Sequence, residues 1–401
     1  MAGRKGAPSG ATKGNAKKGT TTSSKKQPKN AQTQVPPNDE LDHRSFQKPT
    51  LSEDDRKHHQ RVLDIFYNTF CDVLKSPSLT TTLQSVKQAL YDRDFARAFG
   101  DPEHLAVYAA RWSPTRALCY ASVLSGIKEH LEPLLTQEDS TNQEDGENGV
   151  ENQTAQIDKT RHIKLLSVGG GAAELVAFGA FLSQHPSPLC GSITLLDSGP
   201  WSTVITQLTT TLTTPPPLSK YASAAAKLSN SAMISPSRFH PTFLQQDALT
   251  LTETTLPPLL GTTPLLVTIL FTLNELFTAS GIGKTTAFLL NLTAAIPFTS
   301  LLLVVDSPGS YSETTLGKEA KRYPMQWLLD RIMLGTRREP VNGRRWRKVE
   351  SHDSVWFRLA EGQSAYPIQL ENMRYQMHLY RAENSSVGEE EEEEEEEKEL
   401  E

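Results

Sequence analysis

The chain has 401 residues, a net charge of −6, 37% hydrophobic residues and three cysteines. That length supports one large domain or two ordinary ones with a full core. Cys71, Cys119 and Cys190 show no CxxC or Cys/His spacing, which argues for a reducing compartment and against a structural zinc site, so no metal is expected. No apolar run approaches the roughly 20 residues that span a bilayer, and the opening MAGRKGAPSG lacks a signal-peptide core. An intracellular, monomeric protein without membrane contact is expected.

Charge is unevenly spread. Residues 1–34 carry eight Lys/Arg and no acid, whereas residues 389–401 carry eleven Glu and one Lys. Residues 1–50 therefore predict a disordered basic tail, suited either to nucleic acid and a nuclear or nucleolar address or to simple solvation. Residues 383–401 predict a disordered acidic tail.

Order is expected from residue 51. RKHHQRVLDIFYNTFCDVL places Val62, Ile65, Phe66, Thr69 and Phe70 at helical spacing. LTTTLQSVKQALYDRDFARAFG continues as helix and breaks at Gly100-Asp101-Pro102; helix resumes in EHLAVYAARW. SPTRALCYASVLSGIKEHL predicts a further helix with Ser113 as its N-cap and Pro114 in its first turn. Residues 51–136 thus form a helical N-terminal region, and 137–160 an acidic linker.

From residue 161 the pattern alternates strand with helix. HIKLLSV, GSITLLD, RFHPTFLQQDAL, TPLLVTILFTLNEL and TSLLLVVD predict five strands, interrupted at 209–237 by a Thr/Pro/Ser/Ala-rich insertion. A helix in YPMQWLLDRIML and two final strands, SVWFRL and RYQMHLYRA, complete a domain over 161–382. The class is α/β, with a mostly parallel sheet covered on both faces. The last two strands have no helix between them and are expected to pair antiparallel.

Two glycine-containing strings compete for a phosphate or nucleoside role. TASGIGKTTAF (278–288) followed by LLLVVD imitates a P-loop with its acidic strand. However, G-x-x-x-x-G-K-[ST] requires glycine where Thr278 stands, and the acidic strand follows after only one helix. A polar loop with Lys284 at a helix start is the preferred reading, and a P-loop NTPase the remote one.

LLSVGGGAAEL (165–175) ends the first strand and opens a helix, and Asp197 ends the next strand 26 residues beyond Gly171. Glycines there admit close backbone approach, and a carboxylate at the following strand end takes ribose hydroxyls. Asp247 ends the third strand, so three groups converge on the crevice at the strand C-termini. Each Asp taken alone reads as a helix cap or a solvated turn.

With the two closing strands, this arrangement resembles the class I S-adenosylmethionine-dependent methyltransferases, a Rossmann-like fold whose last strand is antiparallel. The resemblance implies S-adenosylmethionine as cofactor. It implies that Gly169, Gly170 and Gly171 approach the methionine part, Asp197 the ribose and Asp247 the adenine amine. Ser167 stands where the family's motif carries an acid and Ala173 replaces a glycine; Glu174 is the candidate substitute for contact with the ammonium.

LLSVGGGAAELVA, FTLNELF, GKTTAFLLNLT, VVDSPGSYSE, KRYPMQWLLD, LENMRYQMHLYR and YAARWSPTRALCYA together are similar to the fungal large-subunit rRNA uridine-N3 methyltransferases over about 51–382. This implies ribosomal RNA or a pre-ribosomal particle as partner, in the nucleolus. A non-catalytic assembly factor of the same fold is the alternative, favoured by Ser167 and Ala173.

Methylating uracil N3 requires removing its proton, which points to polar groups at the end of the fourth strand: Asn274 to hold a base edge and Glu275 to accept the proton. Asp306, ending the fifth strand beside Ser307 and Tyr311, is the second candidate. An extruded base also asks for an aromatic platform, for which Tyr311, Tyr323 and Trp327 are candidates, the last also fitting a core position. RREPVNGRRWRK (337–348) predicts an RNA grip through Arg344, Arg345, Trp346, Arg347 and Lys348, against a solvated loop as the plain alternative. Arg111 and Arg116 are candidates to face the same substrate.

Overall fold

The computed structural model describes residues 51–137, 161–185, 189–309, 311–316, 319–335, 340–359 and 365–385. The expectations for residues 1–50, 138–160 and 386–401 lie outside the described residues.

Six helices open the chain: α1 (Glu53–Lys75), α2 (Leu79–Tyr91), α3 (Phe95–Phe99), α4 (Pro102–Arg111), α5 (Ser113–Gly126) and α6 (Lys128–Leu131). Ser52 starts α1 by accepting the Asp55 N–H at 3.0 Å, and Glu53, Asp54 and Asp55 lie at the positive end of the helix dipole. The apolar stripe of α1 buries Val62, Leu63, Ile65, Phe66 and Phe70. α5 begins at Ser113 itself and not after it. Trp112 occupies the cap position and ends α4, so the two helices meet at one residue without a side-chain cap.

Next come β1 (Thr136–Gln137), β2 (Arg161–Val168), α7 (Ala172–Gln184), β3 (Leu189–Asp197), α8 (Ser202–Thr213), α9 (Ala224–Leu228) and β4 (Phe239–Gln245). They are followed by α10 (Leu256–Leu260), β5 (Leu266–Leu270), α11 (Leu273–Glu275), a π-helical turn over Leu276–Ser280, α12 (Ile282–Ala295) and β6 (Leu301–Asp306). The chain closes with β7 (Tyr311–Leu316), β8 (Glu319–Pro324), α13 (Met325–Met333), β9 (Arg344–Phe357) and β10 (Met373–Asn384). The β7–β8 hairpin was not expected from the sequence, and β9 begins ten residues before the predicted SVWFRL strand.

The main sheet runs β4-β3-β2-β5-β6-β10-β9, with β1 added antiparallel to β2. Pairs among β4, β3, β2, β5 and β6 are parallel, and β10 lies antiparallel between β6 and β9. Strand order reverses between β2 and β5, and such a reversal opens a crevice above the strand C-termini.

Side chains alternate across the sheet with the period of two that a pleated strand imposes. Ile163 and Leu165 of β2, and Leu301, Leu303 and Val305 of β6, join one core with α1, α4, α5, α7 and α8. Leu166 and Val168, with Leu302 and Val304, join the opposite core with α10, α12 and α13. The N-terminal helices are therefore one of the two layers covering the sheet. α5 shows this most clearly, with Leu118, Cys119 and Tyr120 all buried. Among the described residues no helix is long and apolar enough to cross a membrane.

Candidate active site

A cleft of about 270 Å³ lies at the reversal point. Its floor is the β2–α7 turn. Gly169 has φ +70°, and a Cβ there would lie 2.3 Å from Thr272 Oγ1, so only glycine fits. At Gly170 a Cβ would meet the Ser167 hydroxyl at 2.5 Å. Ser167 is fully buried and accepts from Thr268 Oγ1 at 3.0 Å. The serine in place of the motif's acid is therefore consumed inside the sheet. Gly170 packs on it from above and is absent from the cleft lining, unlike Gly169 and Gly171.

Three carboxylates face this space. Glu174, in the first turn of α7, accepts the Gly171 N–H at 2.8 Å. Burial pushes its carboxyl up to about 7, against the pull of that hydrogen bond and of Arg116. Asp197 ends β3 and accepts the Gly199 N–H at 2.7 Å; burial raises it to about 6. Glu275 follows β5. Burial raises it to about 7, Arg116 works in the opposite direction, and Asp306 and Asp197 add to the rise. Asp247 lies at the exposed rim, where it caps residues 248–250 through the Leu249 N–H at 2.9 Å.

A single guanidinium answers these acids. Arg116 of α5 lies over the rings of Phe271 at 5.2 Å and Tyr108 at 5.5 Å, and donates to the Tyr108 hydroxyl. The remaining wall is aromatic: Phe95 and Phe99 of α3, Tyr108 of α4, and Trp201. Phe99 meets Tyr108 edge-on at 5.0 Å and Trp201 at 6.4 Å. The sequence singled out Arg116 but none of these rings. For Phe95, Phe99 and Tyr108 the signal was the aromatic density of residues 91–112, which periodicity reads as core.

Other candidates are placed elsewhere. Asp306 is buried and acts as a clamp: its carboxylate accepts the N–H groups of Asn274 at 3.0 Å and Ser307 at 2.7 Å, tying β6 to the segment after β5. Neither Asp306 nor Asn274 lines the cleft, whereas Glu275, next to Asn274 in the chain, does. Lys284 is exposed on the first turn of α12 and does not line the cleft, to which its string contributes Ala279 and Ser280. Tyr323 and Trp327 do stack, 4.8 Å apart, with Trp327 half exposed; the side chain of Tyr311 lies outside the described residues.

The expected RNA grip at Arg344–Lys348 is corrected. Trp346 is core, only 5% exposed, with its indole N–H on Thr293 Oγ1 at 2.9 Å. Arg344 donates to the Ile296 carbonyl at 2.6 Å, Arg347 pairs with Glu383, and Lys348 pairs with Asp330 at 2.6 Å. Arg345 sits among them, opposite Glu383 in the strand register. The string is also at the wrong end of the sheet. β10 pairs Arg381 with Leu301 at the start of β6, and Gln376 with Asp306 at its end. Arg347 faces Arg381, so this basic run lies at the edge opposite the cleft. At ~3.3 Å per residue, Trp356 is roughly 30 Å further along β9, on the cleft side.

A family model described as "Putative SAM-dependent methyltransferase" matches residues 66–381. The chain belongs to the SAM-dependent methyltransferases. This methyltransferase is 32% identical over 348 residues to the 25S rRNA (uridine(2843)-N(3))-methyltransferase of Saccharomyces cerevisiae, covering 80% of this chain and 85% of the yeast protein. Among solved structures, it matches an O-methyltransferase family protein from Burkholderia thailandensis at 11% identity and TM-score 0.34, covering 84% of this chain and 74% of that one. The 16S rRNA (adenine(1408)-N(1))-methyltransferase from Catenulisporales acidiphilia matches at 14% identity and TM-score 0.32, covering 55% of this chain and 88% of that one.

The cleft of the methyltransferase fits its cofactor chemically. S-adenosylmethionine carries a sulfonium and an ammonium, and the cleft sets Glu174, Asp197 and Glu275 against the single cation Arg116. Carboxylates held that high by burial are stabilised in their ionised form by an arriving cation. The open backbone at Gly169 leaves room for close approach. Among the described residues no cluster of His, Cys, Asp or Glu could hold a metal ion.

Proposed function

We propose that this methyltransferase modifies N3 of a uridine in large-subunit ribosomal RNA, within the nucleolus during ribosome biogenesis. The observation that carries this reading is Glu275. It is a half-buried carboxyl held at about 7, beside Arg116, at the end of β5 and inside the cofactor cleft. A base of that strength is suited to a weak N–H acid at neutral pH. The identity with the yeast uridine-N3 enzyme, across most of both chains, supports the substrate.

In this reading Asp197 takes the ribose hydroxyls, Asp247 addresses the adenine from the rim, and Glu174 faces the ammonium. The Gly169–Gly171 backbone admits the methionine part. When bound, S-adenosylmethionine supplies an electrophilic methyl group. Glu275 would accept the N3 proton as N3 takes the methyl, the sulfonium–methyl bond breaking to leave the neutral thioether, and Arg116 would balance the charge spread over the two uracil carbonyls. Desolvation by the aromatic wall strengthens both interactions.

RNA approaches from the cleft side of β9 and β10. Trp356 is 52% exposed there, and the guanidinium groups of Arg358 and Arg374 lie over its ring at 5.3 and 5.7 Å. An exposed indole flanked by two cations suits base stacking with phosphate contact.

The test is methyl transfer from labelled S-adenosylmethionine to large-subunit rRNA, followed by nucleoside digestion. Label in 3-methyluridine is the expected result, and label confined to any other nucleoside overturns the reading. Stabilisation by S-adenosylhomocysteine or sinefungin, and not by ATP–magnesium, is expected in a thermal shift.

A further inference from the structure

A second cleft, of about 190 Å³, opens beside the cofactor cleft, and Arg116 and Phe271 line both. It is lined by Thr115 and Trp112 of the α4–α5 junction and by Arg111, Glu371 and Arg374, with Glu371 the exposed member.

Three features of its wall bear on what it can hold. Thr115 is 5% exposed, yet its hydroxyl has no hydrogen-bond partner. A buried hydroxyl left unpaired costs about 1–3 kcal/mol, and a helical threonine ordinarily avoids this by bonding the carbonyl one turn back. Phe271 has φ +55°, a left-handed conformation that an aromatic residue adopts only when its surroundings impose it. Its N–H is held by the Val305 carbonyl at 2.7 Å, and the residue lines both clefts. Arg116 is stacked on that ring and on Tyr108, so its guanidinium is held in a fixed plane at the partition.

We propose that this second cleft seats the target pyrimidine, with the Thr115 hydroxyl and the Arg116 guanidinium reading its carbonyl oxygens and Trp112 and Phe271 packing against its ring.

The proposal rests on the uridine-N3 reading and specifies how the base is chosen. Arg111, itself mostly buried, is already paired with Glu371, and the Glu371 carboxylate would face any anion entering beside it. What remains inside is one unsatisfied hydroxyl, one donor-only guanidinium and aromatic surface. Uracil presents acceptor, donor and acceptor along its N3 edge, so its oxygens would meet Arg116 and Thr115 with the N3–H between them, and Arg116 is shared with the cleft that Glu275 lines. Cytosine places an amino group where uracil has a carbonyl, and that group would confront the Arg116 donors. Loss of the N3 proton increases charge on the same oxygens, so the contacts that select the base also strengthen during transfer.

Photo-crosslinking tests this with the full-length protein, S-adenosylhomocysteine, and large-subunit rRNA transcribed with 4-thiouridine. Crosslinked peptides containing residues 112–116 or 371–374 are expected. Crosslinks confined to other peptides, in a protein that methylates uridine, overturn the proposal. If methylation instead falls on another base, the uridine-N3 reading itself fails, so the two failures are distinguishable.

A second arm uses Thr115→Val, which keeps the shape, and Thr115→Ser, which keeps the hydroxyl. The valine variant is expected to lower kcat/KM on RNA at least about tenfold with S-adenosylhomocysteine affinity unchanged, and the serine variant to restore it. A valine variant within about twofold of the wild type removes Thr115 from base recognition and overturns the proposal.

Discussion

Replacing Glu275 by Gln preserves the side chain's outline and removes its capacity to accept a proton. Burial places this carboxyl at about 7, against an ordinary 4.5. Below that value the ionised fraction, and with it the rate of methyl transfer, falls roughly tenfold per pH unit. A positioned general base contributes on the order of 10²–10⁴ in rate, or about 3–5 kcal/mol of activation free energy. The assay is single-turnover transfer from labelled S-adenosylmethionine to large-subunit rRNA, at saturating cofactor, from about pH 5.5 to about pH 8.5. The wild type should rise with unit slope and level off near pH 7. Glu275→Gln should be at least about 100-fold slower and lack that limb. Glu174 has the same elevated value, so Glu174→Gln is the control: it should weaken cofactor binding while leaving the limb at saturation intact. A Glu275→Gln enzyme within about threefold of wild type, with the limb unchanged, would refute the assignment.

Further outcomes follow from the same geometry. Glu174 and Glu275 sit at about 7 and Asp197 at about 6, all raised by burial, so between about pH 4 and 7 the folded protein binds more protons than the unfolded chain. Their contribution to stability is present on the acid side and lost as pH rises through 6–7. Glu275→Gln should therefore gain in Tm relative to wild type at pH 8 and show no such gain at pH 5; the reverse trend contradicts the sign. Gly169→Ala forces a Cβ onto Thr272 Oγ1 at a left-handed φ and should abolish sinefungin-induced thermal stabilisation. Trp346→Ala should cost about 3–5 kcal/mol in denaturant unfolding, as a core deletion. Trp356→Ala should change stability by no more than about 0.5 kcal/mol, yet weaken rRNA binding by about 1–3 kcal/mol in a filter assay. Equal stability losses for the two tryptophans would contradict their assigned positions. Lys284→Ala should leave both cofactor binding and methyl transfer unchanged, and a substantial loss of either would return that lysine to the site.

What the sequence determined by itself was the sheet and the groups gathered along one edge of it. Strand periodicity, the glycine turn after β2 and the acids at consecutive strand ends are local features, so chain order alone brings Gly169, Asp197 and Glu275 to one edge. Local pattern also explains where the reading failed. RRWRK looks like a basic surface because composition does not say which way a strand points; its register against β10 buries Trp346 and carries the run to the edge away from the cleft. Asp306 has the right position and the wrong partners, since only the fold brings the Asn274 and Ser307 N–H groups to its carboxylate. Arg116 and all of the aromatic wall but Trp201 come from α3–α5, roughly 60–170 residues before the segments they face. Helical spacing marks such residues as core, and only tertiary packing decides that one edge of that core is left open as a site. The pKa values that give Glu275 its proposed role are likewise a property of burial, which no sequence pattern specifies.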